Sequence, residues 1–147
     1  MHFPSHMRST VCTNSYPACN YLGWSSSMAP VIMGAPSQPE LGAELTNSFC
    51  RTDPEIAQHF ARVTFLADHR DILPHCQTPT LILQCTEDFI APCSVGEFMQ
   101  ASLPRSTLTM IDNVGHCPHM SAPDSCLKAI ESYLENTFIG ARSDHGT

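Results

Sequence analysis

Along most of this chain the apolar positions recur at helical spacing, and only two stretches break that rhythm. Thr80-Leu81-Ile82-Leu83-Gln84-Cys85 is a short, nearly continuous apolar run, the pattern of a strand covered on both faces of a parallel sheet. Thr107 to Ile111 alternates and predicts a second strand. Between them, Ser94 and Glu97 have capping-box spacing, and Val95, Phe98 and Met99 form the stripe of a short helix that Leu103-Pro104 ends. Strand, helix and strand in that order make one βαβ unit with parallel strands.

The rest of the chain reads as helices. Leu22, Trp24, Met28, Val31 and Ile32 predict a short helix broken near Pro30, because an interior proline removes a backbone donor. Pro36 to Pro39 is a connection, and Pro39-Glu40 opens a helix bearing Leu41, Leu45 and Phe49. Asp53-Pro54-Glu55 is a helix start, with an acid at the cap and a proline at the first helical position. Ile56, Phe60, Val63 and Ala67 follow at helical spacing. Near the end, Ser121 to Asp124 again has capping-box spacing, and Leu127, Ile130, Leu134 and Phe138 predict a buried stripe. The expected organisation is a disordered or unrelated leader (1–19), a helical segment (20–66), an α/β portion (67–140) and a polar tail (141–147).

Charge narrows the partners. A net charge of −7, with Lys128 the only lysine, disfavours both nucleic acid and an anionic membrane surface. No run is long enough to span a membrane, and Met1 to Thr10 lacks the apolar core of a signal peptide. Eight cysteines without a Cys-x-x-Cys pair predict reduced thiols packed as small hydrophobes, and hence a cytoplasmic protein. Three sets of residues invite a metal reading: His2, His6, Cys12 and Cys19; His69, His75 and Cys76; and His116 with His119. None has the usual zinc spacing, and Pro118 disfavours a helix that would pair the last two, so no metal or cofactor is expected.

The chemistry follows from the strand order. Asp88 lies in the loop after the first strand, and Gly115-His116-Cys117-Pro118-His119 in the loop after the second. Both loops leave the carboxyl-end edge of the sheet, where open α/β sheets keep their active sites. An aspartate that orients a histidine makes it a general base, which assigns Asp88 and His116 those roles. The bland alternatives are an ordinary turn aspartate at Asp88, with Glu87 the competing acid, and a structural loop histidine at His116. His119 is expected to shape the loop. Cys117 is a poor nucleophile, pointing away from its neighbour and lacking a cationic setting. A two-stranded parallel sheet is also not a closed architecture, so the chain reads as part of a larger fold.

Asp68-His69-Arg70, Pro79 to Cys85, Asp88, Ile90-Ala91-Pro92, Val95-Gly96, Leu103-Pro104 and above all Gly115-His116-Cys117-Pro118-His119-Met120-Ser121 carry a resemblance. They resemble the C-terminal part of an α/β-hydrolase, in the branch of the sigma-B regulator RsbQ and the karrikin and strigolactone receptors. The likeness implies Ser-His-Asp chemistry on a small apolar ester or lactone, with the acid at Asp88 and Glu87 solvated. It also implies a lid formed by the helices of 20–66 and a signalling partner protein. The family's Gly-x-Ser-x-Gly nucleophile elbow occurs nowhere in this chain, and the nearest approach, Gly23-Trp24-Ser25-Ser26-Ser27, has no strand before it and no closing glycine. Two members of a triad without the third predict a chain inactive by itself. A non-catalytic binding or regulatory module, or a truncated product, is the alternative.

Overall fold

The computed structural model describes residues 17–139, and the chain divides between His69 and Arg70 into two compact units. The expected leader therefore lies outside the described residues except for Pro17, Ala18 and Cys19, which open the first helix.

The first unit holds three helices, α1 (Pro17–Met33), α2 (Pro39–Cys50) and α3 (Pro54–Leu66). α1 continues through Pro30 to Met33, contrary to the expected break. An interior proline costs about 3 kcal/mol. Ser25, Ala29 and Met33, one above another at i, i+4 and i+8, are completely or almost completely buried and offset that cost. Gly34, at φ 65°, then stops the helix, its N–H donating to the Pro30 carbonyl. α1 and α2 form a hairpin: Gly42 packs on Pro30 near the connection, while at the far end Trp24 stacks on Phe49 and the Tyr21 hydroxyl donates to the Phe49 carbonyl.

α3 begins where the sequence predicts. The Asp53 carboxylate accepts from Glu55 N–H at 2.9 Å and Ile56 N–H at 3.2 Å, with Pro54 at the first helical position. No residue of α3 is buried, and Ile56, Phe60, Val63 and Leu66 lie exposed. With so little packing on α3, the cap carries much of its stability. Asp53→Ala is expected to cost about 1 kcal/mol, read as a lower denaturant midpoint. An unchanged midpoint would show that α3 frays independently of its cap.

The second unit opens with a 3-10 turn, Leu73–His75, and contains β1 (Thr80–Glu87), α4 (Cys93–Ser102), β2 (Ser106–Val114), α5 (Pro118–Ser121) and α6 (Pro123–Leu134), closed by a π-helical turn, Glu135–Ile139. β1 and β2 pair in parallel, from Thr80 beside Ser106 to Cys85 beside Ile111. The next pairing is Glu87 with Val114, so β2 carries one extra residue there, a bulge formed by Asp112 and Asn113 opposite Thr86. Beyond it, Gly115 N–H donates to the Glu87 carbonyl at 2.8 Å and locks the two strand ends together. Ile82, Gln84, Cys85 and Ile111 are buried in the sheet.

The last helix, α6, buries a face other than the expected one, whereas α4 keeps Val95 and Met99 of its expected stripe half-buried. In α4 the buried residue is Gly96, and Phe98 is exposed. In α6 it is Cys126, with Ala129 and Tyr133 half-buried at the same spacing, while Leu127, Ile130 and Leu134 are exposed. The Phe138 side chain lies outside the described residues. Small residues let each helix axis approach the sheet, and in α6 the bulky stripe turns outward. The capping boxes also fail. The α4 cap is Pro92, whose carbonyl accepts from Val95 N–H, and the α6 cap is Ala122 without a side-chain bond. Pro118, expected to prevent a helix, instead starts α5 at the first helical position, where its missing N–H costs nothing.

Candidate active site

Asp88 is the first residue past β1, and its carboxylate is divided between two tasks. Oδ1 accepts from Ile90 N–H at 2.8 Å and Ala91 N–H at 3.0 Å, which folds the loop around the acid. Oδ2 lies 2.7 Å from His116 Nδ1. Only 5% of the Asp88 side chain is exposed, against 44% of His116. The acid is sheltered and committed, and the imidazole stands at the surface with one nitrogen engaged.

His116 reaches the acid because of the residue before it. Gly115 is buried with φ 109°, a conformation that L side chains rarely adopt, and its N–H holds Glu87. The chain can thus turn sharply at the sheet edge and bring residues 28 apart in sequence into contact. An ionised carboxylate only accepts, so Nδ1 carries the proton and Nε2 keeps its lone pair. Such a histidine can take a proton from a hydroxyl or water, and the adjacent carboxylate stabilises the imidazolium that results.

The competing residues are placed elsewhere. Glu87 is exposed and joins the loop through its backbone carbonyl. His119 is exposed on α5 and is not on a helical face with His116, which precedes the helix. Burial pushes the Cys117 thiol up, with the Asp88 charge adding to it, so its thiolate is scarce at neutral pH. Burial likewise raises Cys85 and Cys126. The described cysteines Cys50, Cys76, Cys85, Cys93, Cys117 and Cys126 are all free thiols. Among the described residues no three His, Cys, Asp or Glu side chains gather as a metal site, and no helix is long and apolar enough to cross a membrane. His2, His6 and Cys12, and the side chain of Cys19, lie outside the described residues. Ser25 and Ser27 lie within α1, and each donates its hydroxyl back to the carbonyl four residues earlier, Tyr21 and Gly23.

Residues that sequence reasoning passed over complete the surroundings. The Gln84 amide, buried in β1, donates to the Ala91 carbonyl at 2.8 Å and steadies the acid's loop. Asn113 donates to the Ser121 hydroxyl at 3.0 Å across the histidine's loop. A glutamine inside an apolar strand was a visible signal; the Asn113–Ser121 contact had none.

Comparison with known proteins bears on the family and the fold. A family model described as TAP-like protein, of the α/β-hydrolase type, matches residues 45–144. A strigolactone esterase of Pisum sativum is 32% identical over 116 residues, 78% of this chain and 43% of the relative. A Karrikin insensitive 2 receptor of Petunia hybrida is 26% identical over 118 residues, 80% of this chain and 44% of the receptor. Among solved structures, a hydrolase from Oleispira antarctica superposes with a TM-score of 0.83 at 34% identity, covering 93% of this chain and 52% of that one. The chain thus spans less than half the length of these curated relatives. The expected resemblance holds, and two parallel strands flanked by helices are a partial α/β-hydrolase fold. With more than half of its residues matched by the family model, this chain belongs to the TAP-like family of α/β-hydrolases.

Proposed function

We propose that this chain supplies the acid and the base of a serine hydrolase that cleaves a small ester- or lactone-like molecule. The observation that carries this reading is the 2.7 Å contact between Asp88 and His116 at the carboxyl-end edge of a parallel sheet. In this reading the serine comes from sequence outside these residues, since no Gly-x-Ser-x-Gly is present. His116 Nε2 takes the serine proton as the oxygen bonds to the carbonyl carbon, then returns it to the departing alcohol. Asp88 holds the ring and balances its charge, and water releases the acyl group by the same route. The helices of 20–66 serve as a lid over an apolar ligand. A strigolactone esterase and a karrikin receptor among the relatives support a sensing role, and a signalling partner and a cytoplasmic location are part of the same reading.

The 147 residues alone are expected to hydrolyse an activated ester such as p-nitrophenyl acetate no faster than buffer, with His116→Ala indistinguishable. The protein isolated from its own cells is expected to be much heavier than 16.1 kDa and to turn over that ester until His116 is replaced. Turnover by the short chain, abolished by His116→Ala, overturns the external serine. A native mass of 16.1 kDa overturns the hydrolase and leaves the non-catalytic binding module.

A further inference from the structure

The bulge in β2 places one side chain where both site loops can be reached. Asn113 lies opposite Thr86, two residues before Asp88, and three residues before His116. Its backbone N–H donates to Thr86 Oγ1 at 3.2 Å, and its side-chain amide reaches Cys85 Sγ at 3.6 Å, so it grips the end of β1 from which the acid's loop departs. The same Nδ2 donates to Ser121 Oγ at 3.0 Å. Ser121 Oγ is also 3.2 Å from the Cys117 carbonyl and 3.2 Å from Asn113 Oδ1. A serine hydroxyl has one proton. Accepting from Nδ2, it gives that proton to the Cys117 carbonyl, next in the chain after His116. One relay of hydrogen bonds therefore runs from β1 through Asn113 and Ser121 to the Cys117–Pro118 peptide, one residue past the histidine.

The loop needs such a brace. Gly115, the residue before His116, has wide backbone freedom, and the histidine is 44% exposed with its side chain held on one side by Asp88. On the carboxyl side the Cys117 carbonyl also accepts from Met120 N–H at 3.0 Å and Ser121 N–H at 3.1 Å, so the Ser121 hydroxyl joins the start of α5 to Asn113 and through it to β1. We infer that Asn113, acting through the Ser121 hydroxyl, is the positioning residue that keeps His116 in register with Asp88. This rests on the Asp88–His116 pairing of the proposed function, but not on catalysis by this chain.

The test uses the full 147-residue chain, 15N-labelled at histidine, with imidazole tautomer and the Nδ1–H signal of His116 as readouts. The unaltered chain is expected to show a slowly exchanging Nδ1–H. Asn113→Ala and Ser121→Ala are expected to lose that signal and to populate the Nε2–H tautomer, with circular dichroism unchanged. Ser121→Thr, which keeps the hydroxyl, is expected to restore it. A wild-type signal in folded Ser121→Ala overturns the inference and leaves the pairing intact. Unfolding of Ser121→Ala also overturns it, because the hydroxyl would then support the whole unit rather than the histidine. Absence of the signal in the unaltered chain overturns the pairing itself, and the inference with it.

Discussion

Asp88→Asn is expected to invert the tautomer of His116 and, wherever this chain works with a serine, to lower ester turnover by about 10⁴-fold. The reason lies in how the carboxylate is shared. Oδ1 faces two backbone donors, Ile90 and Ala91 N–H, and Oδ2 faces His116 Nδ1. An asparagine has one acceptor oxygen, and the two N–H groups claim it. Its NH₂ then points at Nδ1, which must become an acceptor, and the ring proton moves to Nε2. A histidine protonated at Nε2 cannot take the serine proton. The fold should persist, because the loop keeps both backbone hydrogen bonds. Imidazole 15N shifts of the isolated chain report the tautomer, and turnover in the active protein reports the consequence. An asparagine variant that keeps the Nδ1–H tautomer and near-normal turnover would mean that Asp88 is a turn residue, as most aspartates after strands are.

The legible parts of this protein were those decided over a few neighbouring residues. The β1 run announced a strand covered on both faces because its apolar residues are almost unbroken, and Asp53-Pro54-Glu55 announced α3 because cap, proline and acid are all local. The Asp88–His116 contact was legible through topology: two loops after two parallel strands share an edge. What failed depended on distant packing. Ser94 and Glu97 have capping-box spacing, yet α4 starts earlier at Pro92, where the loop wrapped around Asp88 delivers the chain. Pro30 reads as a breaker, yet the burial of Ala29 and Met33 carries α1 past it. Leu127, Ile130 and Leu134 read as a core stripe, yet Cys126 faces inward because a small side chain lets α6 come closer. Helical period locates a face only to within one residue's rotation, and the winning face is the one whose volume fits the sheet.

Gly96 shows that volume limit at its sharpest, and Gly96→Val is expected to be among the most destabilising single changes in the second unit. A β-carbon on Gly96 would stand 2.8 Å from Gln84 Oε1, 3.2 Å from Gln84 Cγ and 3.1 Å from Leu108 Cδ1. An end-of-chain oxygen could ordinarily swing aside. Gln84 is buried, however, and its amide nitrogen is tied to the Ala91 and Cys85 carbonyls, so moving Oε1 drags those bonds with it. Two terms then compete. Alanine in a helix interior gains roughly 0.5–1 kcal/mol over glycine, while forcing atoms into a packed site costs about 1–3 kcal/mol. Gly96→Ala should therefore end between neutral and mildly destabilising. Valine forfeits most of the helical gain and adds two methyl groups, so the loss should exceed about 2 kcal/mol. Denaturant unfolding of the chain measures both. The same valine in a Gln84→Ala background should cost at least ~0.5 kcal/mol less, because the two sites touch. Equal losses in both backgrounds would place the clash elsewhere, on Leu108. The Gln84 amide also holds Ala91, whose own N–H binds Asp88, so the strain should travel two hydrogen bonds to the acid. Gly96→Val is thus expected to weaken the His116 Nδ1–H signal even in molecules that remain folded, and an undisturbed signal would show that the acid's loop is held independently of α4.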